Sequence, residues 1–166
     1  MNKLKKTWNF LFGFKGRIGR LHFAIFLLFF IISLFVFNTL AYVFLQGLNS
    51  PSTIKNFSVY EIIFFAAIVL VLVVLVTIFK YSHIVRRIHD YDKSFGNSGL
   101  GITIALLEII VVFLSFARSE YTLLLGFISL ICLTSLVFIK GTKGENQFGA
   151  EPIPFWKKHN ITQKQE

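Results

Sequence analysis

The sequence predicts an all-α fold: an integral membrane bundle of four transmembrane helices, preceded by an interfacial amphipathic helix at the N-terminus. Of the 166 residues, 55% are hydrophobic and only 15% are charged, against roughly 25% charged residues in soluble proteins. Four long apolar segments follow one another along the chain, and Lys and Arg alternate between the segments that flank them. This composition is typical of a protein whose outer surface contacts hydrocarbon.

The four apolar segments are each predicted to form a membrane-spanning helix. Spanning takes about 20 apolar residues, with a range of roughly 17–25, and four segments meet this requirement: 21–45, 62–79, 99–116 and 121–139. The second is rich in Val and Ile, but in hydrocarbon only a helix satisfies its own backbone polar groups. The short connection at 117–120 predicts a tight antiparallel hairpin between the last two helices.

The two ends of the chain have a different character. Leu4, Trp8, Leu11 and Phe12 recur at helical spacing among polar residues, which predicts a short amphipathic helix in the headgroup layer. We assign residues 1–152, which include this amphipathic helix, to the transmembrane domain. Residues 153–166 are assigned to a polar tail that is predicted to be cytoplasmic.

The distribution of basic residues predicts the orientation. Lys and Arg number six in residues 1–20, one in 46–61, four in 80–98, one in 117–120 and five in 140–166. Because basic residues are retained on the cytoplasmic side, both termini and the middle loop are predicted to be cytoplasmic.

Three polar segments share that predicted cytoplasmic side, and we name them by their order: the entry segment 14–20 (FKGRIGR), the middle segment 86–90 (RRIHD) and the exit segment 141–149 (GTKGENQFG). Their order and spacing resemble the YhaH-like bacterial inner-membrane proteins, a family of unknown function (DUF805). The resemblance covers residues 14–152. It implies a location in the inner (plasma) membrane of a bacterium and no particular activity.

The polar segments suggest a ligand site at the cytoplasmic end of the bundle. Arg suits bidentate contact with phosphate or carboxylate, and exit-segment glycines could present backbone N–H groups to an anion. The hypothesis is a site for an anionic headgroup or a small phosphate ligand, lined by Arg17, Arg20, Arg87, His89, Asp90, Lys143 and Asn146. The alternative is that Arg–Asp pairs and turn residues only hold the loops together.

Glu108 is an acidic residue near the middle of the third predicted span. A charge at that depth costs at least about 2.5–3.5 kcal/mol on insertion scales, which favours a protonated, paired or hydrated carboxyl group. By depth, Ser33 and Ser129 are candidate intramembrane partners. A proton relay in a transporter and a neutral hydrogen bond between helices are both open interpretations.

No catalytic arrangement is evident in the sequence. His89 and Asp90 are adjacent and diverge on a helix, the single Cys132 has no partner ligand, and no Walker or dinucleotide fingerprint is present. We predict no metal, no cofactor and no nucleic-acid binding. The leading hypothesis is a non-enzymatic scaffold or anionic-lipid-binding component whose partners are membrane lipids, a second copy or another membrane protein. A small proton-coupled transporter or channel using Glu108 is the alternative, and an enzyme acting on lipid headgroups is the third.

Overall fold

The protein is described by a computed structural model that covers residues 8, 11–48, 58–117 and 119–153. Its described part contains four α-helices: α1 (Arg20–Leu48), α2 (Val59–His89), α3 (Gly99–Phe116) and α4 (Tyr121–Phe138). A short 3-10 turn, Phe95–Asn97, precedes α3. The all-α prediction is confirmed over the described residues, and each helix overlaps one predicted apolar segment.

Three of the helices are long and apolar enough to cross a membrane: α1 over Arg20–Thr39, α2 and α4. The apolar stretch of α3, Gly99–Ser115, is shorter. The long apolar helices indicate a membrane protein, while the bundle of four spans stays a prediction. Most of the predicted amphipathic N-terminal helix and most of the predicted tail lie outside the described residues.

Helix ends are defined by local hydrogen bonds. Before α2, Ser58 and Glu61 form a capping box, in which the Ser58 hydroxyl accepts the Glu61 N–H and the Glu61 carboxylate accepts the Ser58 N–H. The α2 helix continues ten residues past its predicted span end, through the middle segment to His89. At the start of α3, the Ser98 hydroxyl accepts the Gly101 N–H at 3.1 Å.

The packed core lies at one end of the bundle. It contains nine buried apolar residues: Ile18, Phe23, Phe26, Leu27, Ile84, Ile88, Ile104, Leu133 and Leu136. There the starts of α1 and α3 meet the ends of α2 and α4, and we call this region the polar end because the three polar segments also lie there. Away from it, every described side chain of α2 from Val59 to Ile78 is exposed. This apolar outer surface suits lipid rather than water.

Candidate functional site

The entry segment is anchored by Arg17, which lies just before α1. Its guanidinium donates to two oxygens of Asp90, the carboxylate oxygen Oδ1 at 3.1–3.2 Å and the carbonyl oxygen at 3.4 Å. It also donates to the carbonyls of Thr142, Gly144 and Gly149 at 2.6, 2.7 and 3.2 Å. A guanidinium carries five N–H groups, so the chain itself supplies acceptors for all of them.

Arg87 makes a parallel set of contacts from the last turn of α2. Its guanidinium pairs with the second carboxylate oxygen of Asp90 and donates to the carbonyl of Leu136 at 2.9 Å and to that of Ile139. These carbonyls belong to the C-terminal turn of α4, where helical partners are missing and the helix dipole favours a cation. One side chain therefore joins α2 to α4 and caps α4.

Asp90 stands between these two guanidiniums. Its side chain is 5% exposed, and those of Arg17 and Arg87 are 1% and 0% exposed. We call Arg17, Arg87 and Asp90 the Asp90 cluster. A buried carboxylate needs opposite charge and hydrogen bonds, and the two guanidiniums provide both for Asp90. With two positive groups and one negative group, the cluster has one net positive charge.

The exit segment wraps around the end of α2. Thr142 donates its backbone N–H, at 2.8 Å, and its hydroxyl, at 3.1 Å, to the carbonyl of Asp90. Asn146 donates to the carbonyl of His89 at 2.9 Å and accepts the Phe148 N–H. The His89 ring stacks on Phe148 with ring centres 3.9 Å apart and donates to the carbonyl of Gly16.

Two glycines make this wrapping sterically possible. Gly144 has φ +75°, a left-handed conformation that favours glycine, and its N–H donates to the Glu151 carboxylate at 2.7 Å. Gly141 lies against Asp90, and a Cβ at Gly141 would stand 2.6 Å from Asp90 Cγ. The exit segment can approach Asp90 only because residue 141 lacks a side chain.

Tyr91, the residue after Asp90, contacts the start of α3. Its hydroxyl lies 2.8 Å from the Ser98 hydroxyl, which caps α3. Burial raises the pKa of the Tyr91 phenol, and the hydrogen bond with Ser98 opposes this effect. Tyr91 is therefore a neutral hydrogen-bonding residue at neutral pH.

The predicted ligand residues fall into two groups. Arg17, Arg87, His89, Asp90 and Asn146 come together, but their polar groups contact other parts of the chain. Arg20 and Lys143 instead line an open cavity of about 380 Å³, which we call the cationic cavity. Sequence reasoning missed a third cation in its lining, Lys140, which lies two residues after the end of α4. Its other lining residues are Gly19, Leu21, His22, Asp90, Gly141, Thr142, Glu151 and Pro152.

Glu108 has other partners than the two serines proposed from depth. Its carboxylate oxygen Oε2 accepts from Lys80 Nζ at 2.5 Å and from the Tyr81 hydroxyl at 2.8 Å. The Ser33 hydroxyl donates instead to the carbonyl of Phe30 in its own helix. Ser129 is buried and lines the same cavity of about 570 Å³ as Glu108, which we call the Glu108 cleft.

Lys80 could have been found from the sequence. It lies nine residues before the end of α2, and Glu108 lies nine residues after the start of α3. Both are therefore about 14 Å from the polar end at 1.5 Å per residue. The prediction placed Lys80 in a loop because the span was ended at residue 79.

The arrangement at the polar end contains all three predicted segments in mutual contact. The model of the family described as "Protein of unknown function (DUF805)" matches residues 11–150 of this chain. The chain belongs to the DUF805 family. The range that matches this DUF805 model contains the Asp90 cluster, the Glu108 cleft and the cations of the cationic cavity. No curated protein and no solved structure matches the chain significantly.

Proposed function

We propose that this DUF805 protein is a non-enzymatic component of the bacterial inner membrane that binds an anionic phospholipid at its cytoplasmic face. The observation that carries the proposal is the cationic cavity, where Arg20, Lys140 and Lys143 surround a space of about 380 Å³. Ligand cavities usually measure about 300–1,000 Å³, so the space suits a phosphate-bearing headgroup.

The charge balance of the cavity favours an anion. Among the described residues that line it, three carry cationic side chains, and Glu151 is the only carboxylate outside the Asp90 cluster. Glu151 accepts the Gly144 N–H, and the Asp90 carboxylate is paired with two guanidiniums. The lining therefore carries an excess of positive charge that attracts anionic lipid.

The position of the cavity supports a lipid source for that anion. Arg20, the first residue of α1, and Lys140, which follows α4, lie where apolar helix gives way to polar chain. This is the level at which headgroups meet the hydrocarbon layer. The excess of Lys and Arg in the segments at this end supports a cytoplasmic orientation.

Replacing Lys140 and Lys143 together by Gln tests the proposal. Each basic residue near a membrane surface contributes about 1 kcal/mol to anionic-lipid binding, so we expect affinity for phosphatidylglycerol to fall roughly 30-fold. The measurement is displacement of a fluorescent phosphatidylglycerol from the purified protein in nanodiscs of zwitterionic lipid.

The matched control replaces Lys15 and Lys93 by Gln. Both are exposed, belong to the polar end and do not line the cationic cavity. Both double substitutions remove two positive charges from the polar end. A larger loss of lipid affinity in the Lys140 and Lys143 variant would therefore indicate a defined site rather than general electrostatic attraction of anionic lipid. Equal affinity in the two double variants would refute a site at the cationic cavity.

Proton-coupled transport is a second candidate function, favoured by the Lys80–Glu108 pair. The pair lies about 14 Å from the polar end, close to half of a hydrocarbon core about 30 Å thick. Its Lys and Glu side chains keep 14% and 23% exposure and line the Glu108 cleft. Ionisable groups at this depth mark ion or proton pathways in many membrane proteins.

Glu108→Gln tests the transport candidate because it retains the shape of the side chain and removes its titration. In liposomes with an imposed proton gradient, transport predicts proton uptake that falls at least about tenfold in this variant. Glu61→Gln is the control, since Gln also serves in a capping box and Glu61 lies at the opposite end of α2. Unchanged uptake in Glu108→Gln would exclude the relay.

A further inference from the structure

A second cavity adjoins the cationic cavity at the polar end. It has a volume of about 560 Å³, and we call it the apolar cavity because most of its lining is apolar, including Ile25, Phe26, Phe29 and Phe79. Its lining also includes Arg17, His83 and Arg86. The two cavities share four lining residues: Gly19, His22, Glu151 and Pro152. The space therefore continues from a cationic part to an apolar part across the beginning of α1.

The apolar cavity lies along α1 and opens toward the lipid. Ile25 is 39% exposed and Phe29 is 68% exposed, whereas Phe26 is buried and forms the back of the cavity. Phe26 stacks on His83 of α2 with ring centres 4.3 Å apart, which closes the cavity between the two helices. From Arg20 to Phe29 the helix rises about 14 Å, close to half of the hydrocarbon core.

We propose that the two cavities hold one phospholipid molecule, with its anionic headgroup in the cationic cavity and one acyl chain in the apolar cavity. This inference rests on the proposed function and adds to it a binding site for one acyl chain of the ligand. Cations lie at the level where the headgroup is expected, and the apolar wall begins where the chain would enter hydrocarbon. A free phosphate compound would use only the cationic half of this space.

The order of polar and apolar lining is what a lipid requires. Burial of each methylene group contributes a fixed increment to binding, while phosphate contacts supply charge-assisted hydrogen bonds. Arg20, Lys140 and Lys143 belong only to the cationic cavity, and Ile25, Phe26, Phe29 and Phe79 belong only to the apolar one. Headgroup recognition and chain recognition can therefore be separated by substitution.

The experiment blocks the apolar cavity with Ile25→Trp and leaves the cations of the cationic cavity intact. The probe is phosphatidylglycerol with a nitroxide label on one acyl chain, measured by electron paramagnetic resonance with the full-length protein in nanodiscs. We expect wild type to immobilise one labelled chain, and Ile25→Trp to lower lipid affinity at least about tenfold, as losing burial of two methylene groups already does. Leu28→Trp is the matched control, since Leu28 is 59% exposed on the same helix and lines neither cavity.

Further measurements distinguish failure of the acyl-chain site from failure of the headgroup site. If Lys140→Gln with Lys143→Gln weakens binding but Ile25→Trp behaves as Leu28→Trp does, the headgroup site stands and the acyl-chain site is refuted. If glycerol 3-phosphate displaces the probe as effectively as unlabelled phosphatidylglycerol, the chain adds nothing and the inference fails. If neither set of substitutions changes binding, both proposals fail. Phe29→Trp blocks the deeper part of the cavity and provides the same test if Ile25→Trp accumulates poorly.

Discussion

Asp90→Asn is expected to lower the free energy of unfolding by about 3–5 kcal/mol, the usual cost of removing one partner from a buried ion pair. The substitution keeps the size of the side chain but leaves two guanidiniums without a countercharge, at 1% and 0% side-chain exposure. An Asn amide group would also direct N–H donors at Arg17 or Arg87, which are themselves donors. The measurement is the thermal unfolding midpoint of the purified protein, together with its accumulation in the membrane.

Asp92→Asn is the control for this substitution. Asp92 is exposed, lies two residues away, and has φ +59°, a conformation that Asn also accepts. We expect the free energy of unfolding to change by no more than about 0.5 kcal/mol in this variant. Equal stability of the two variants would show that Asp90 contributes no more than a surface carboxylate, and would refute the structural role assigned to the Asp90 cluster.

The Asp90 cluster also bears on the role of Arg17 and Arg87. Arg17 and Arg87 were predicted from sequence to contact either a ligand or loop carboxylates and turns. The contacts support the second role, because their N–H groups face Asp90 and carbonyls of the chain. A ligand at the polar end must then use cations outside the Asp90 cluster, and Arg20, Lys140 and Lys143 line an open space there.

The helices could be predicted from the sequence because membrane-length apolar segments can satisfy their backbone groups only as helices. The meeting of the three polar segments could also be predicted, since alternating antiparallel helices bring their flanking segments to the same end. Which cations are buried and which line an open cavity could not be predicted. Arg17 and Arg20 are both arginines, three residues apart, and only the contacts with Asp90 and with the exit segment decide that Arg17 is buried.

The partners of Glu108 show a second limit of sequence reasoning. Apolar-segment boundaries are marked by charged residues, so Lys80 was assigned to a loop and its depth was not considered. In the structure α2 continues to His89, which places Lys80 inside the helix and beside Glu108. A Lys and a Glu at equal distance from the same end can pair across helices, and this rule uses only residue counts.

Gly141→Ala is expected to be the most damaging single-methyl change at the polar end. The added Cβ would lie 2.6 Å from Asp90 Cγ, and Asp90 cannot move away without losing its contacts with Arg17 and Arg87. Overpacking of this kind costs about 1–3 kcal/mol, and disturbance of the Asp90 cluster adds to it. We expect the thermal unfolding midpoint to fall by about 5–10 °C.

Gly99→Ala separates this steric effect from the general cost of replacing a glycine. Gly99 is the first residue of α3, and nothing lies within 4 Å of a Cβ added there. Ala reduces the entropy of the unfolded chain, so this variant should be at least as stable as wild type. A loss of stability confined to Gly141→Ala would show that the exit segment and Asp90 are packed in contact. If instead Gly141→Ala were harmless, the exit segment would have room to move away from α2. The Asp90 cluster would then not fix the position of the exit-segment residues that line the cationic cavity.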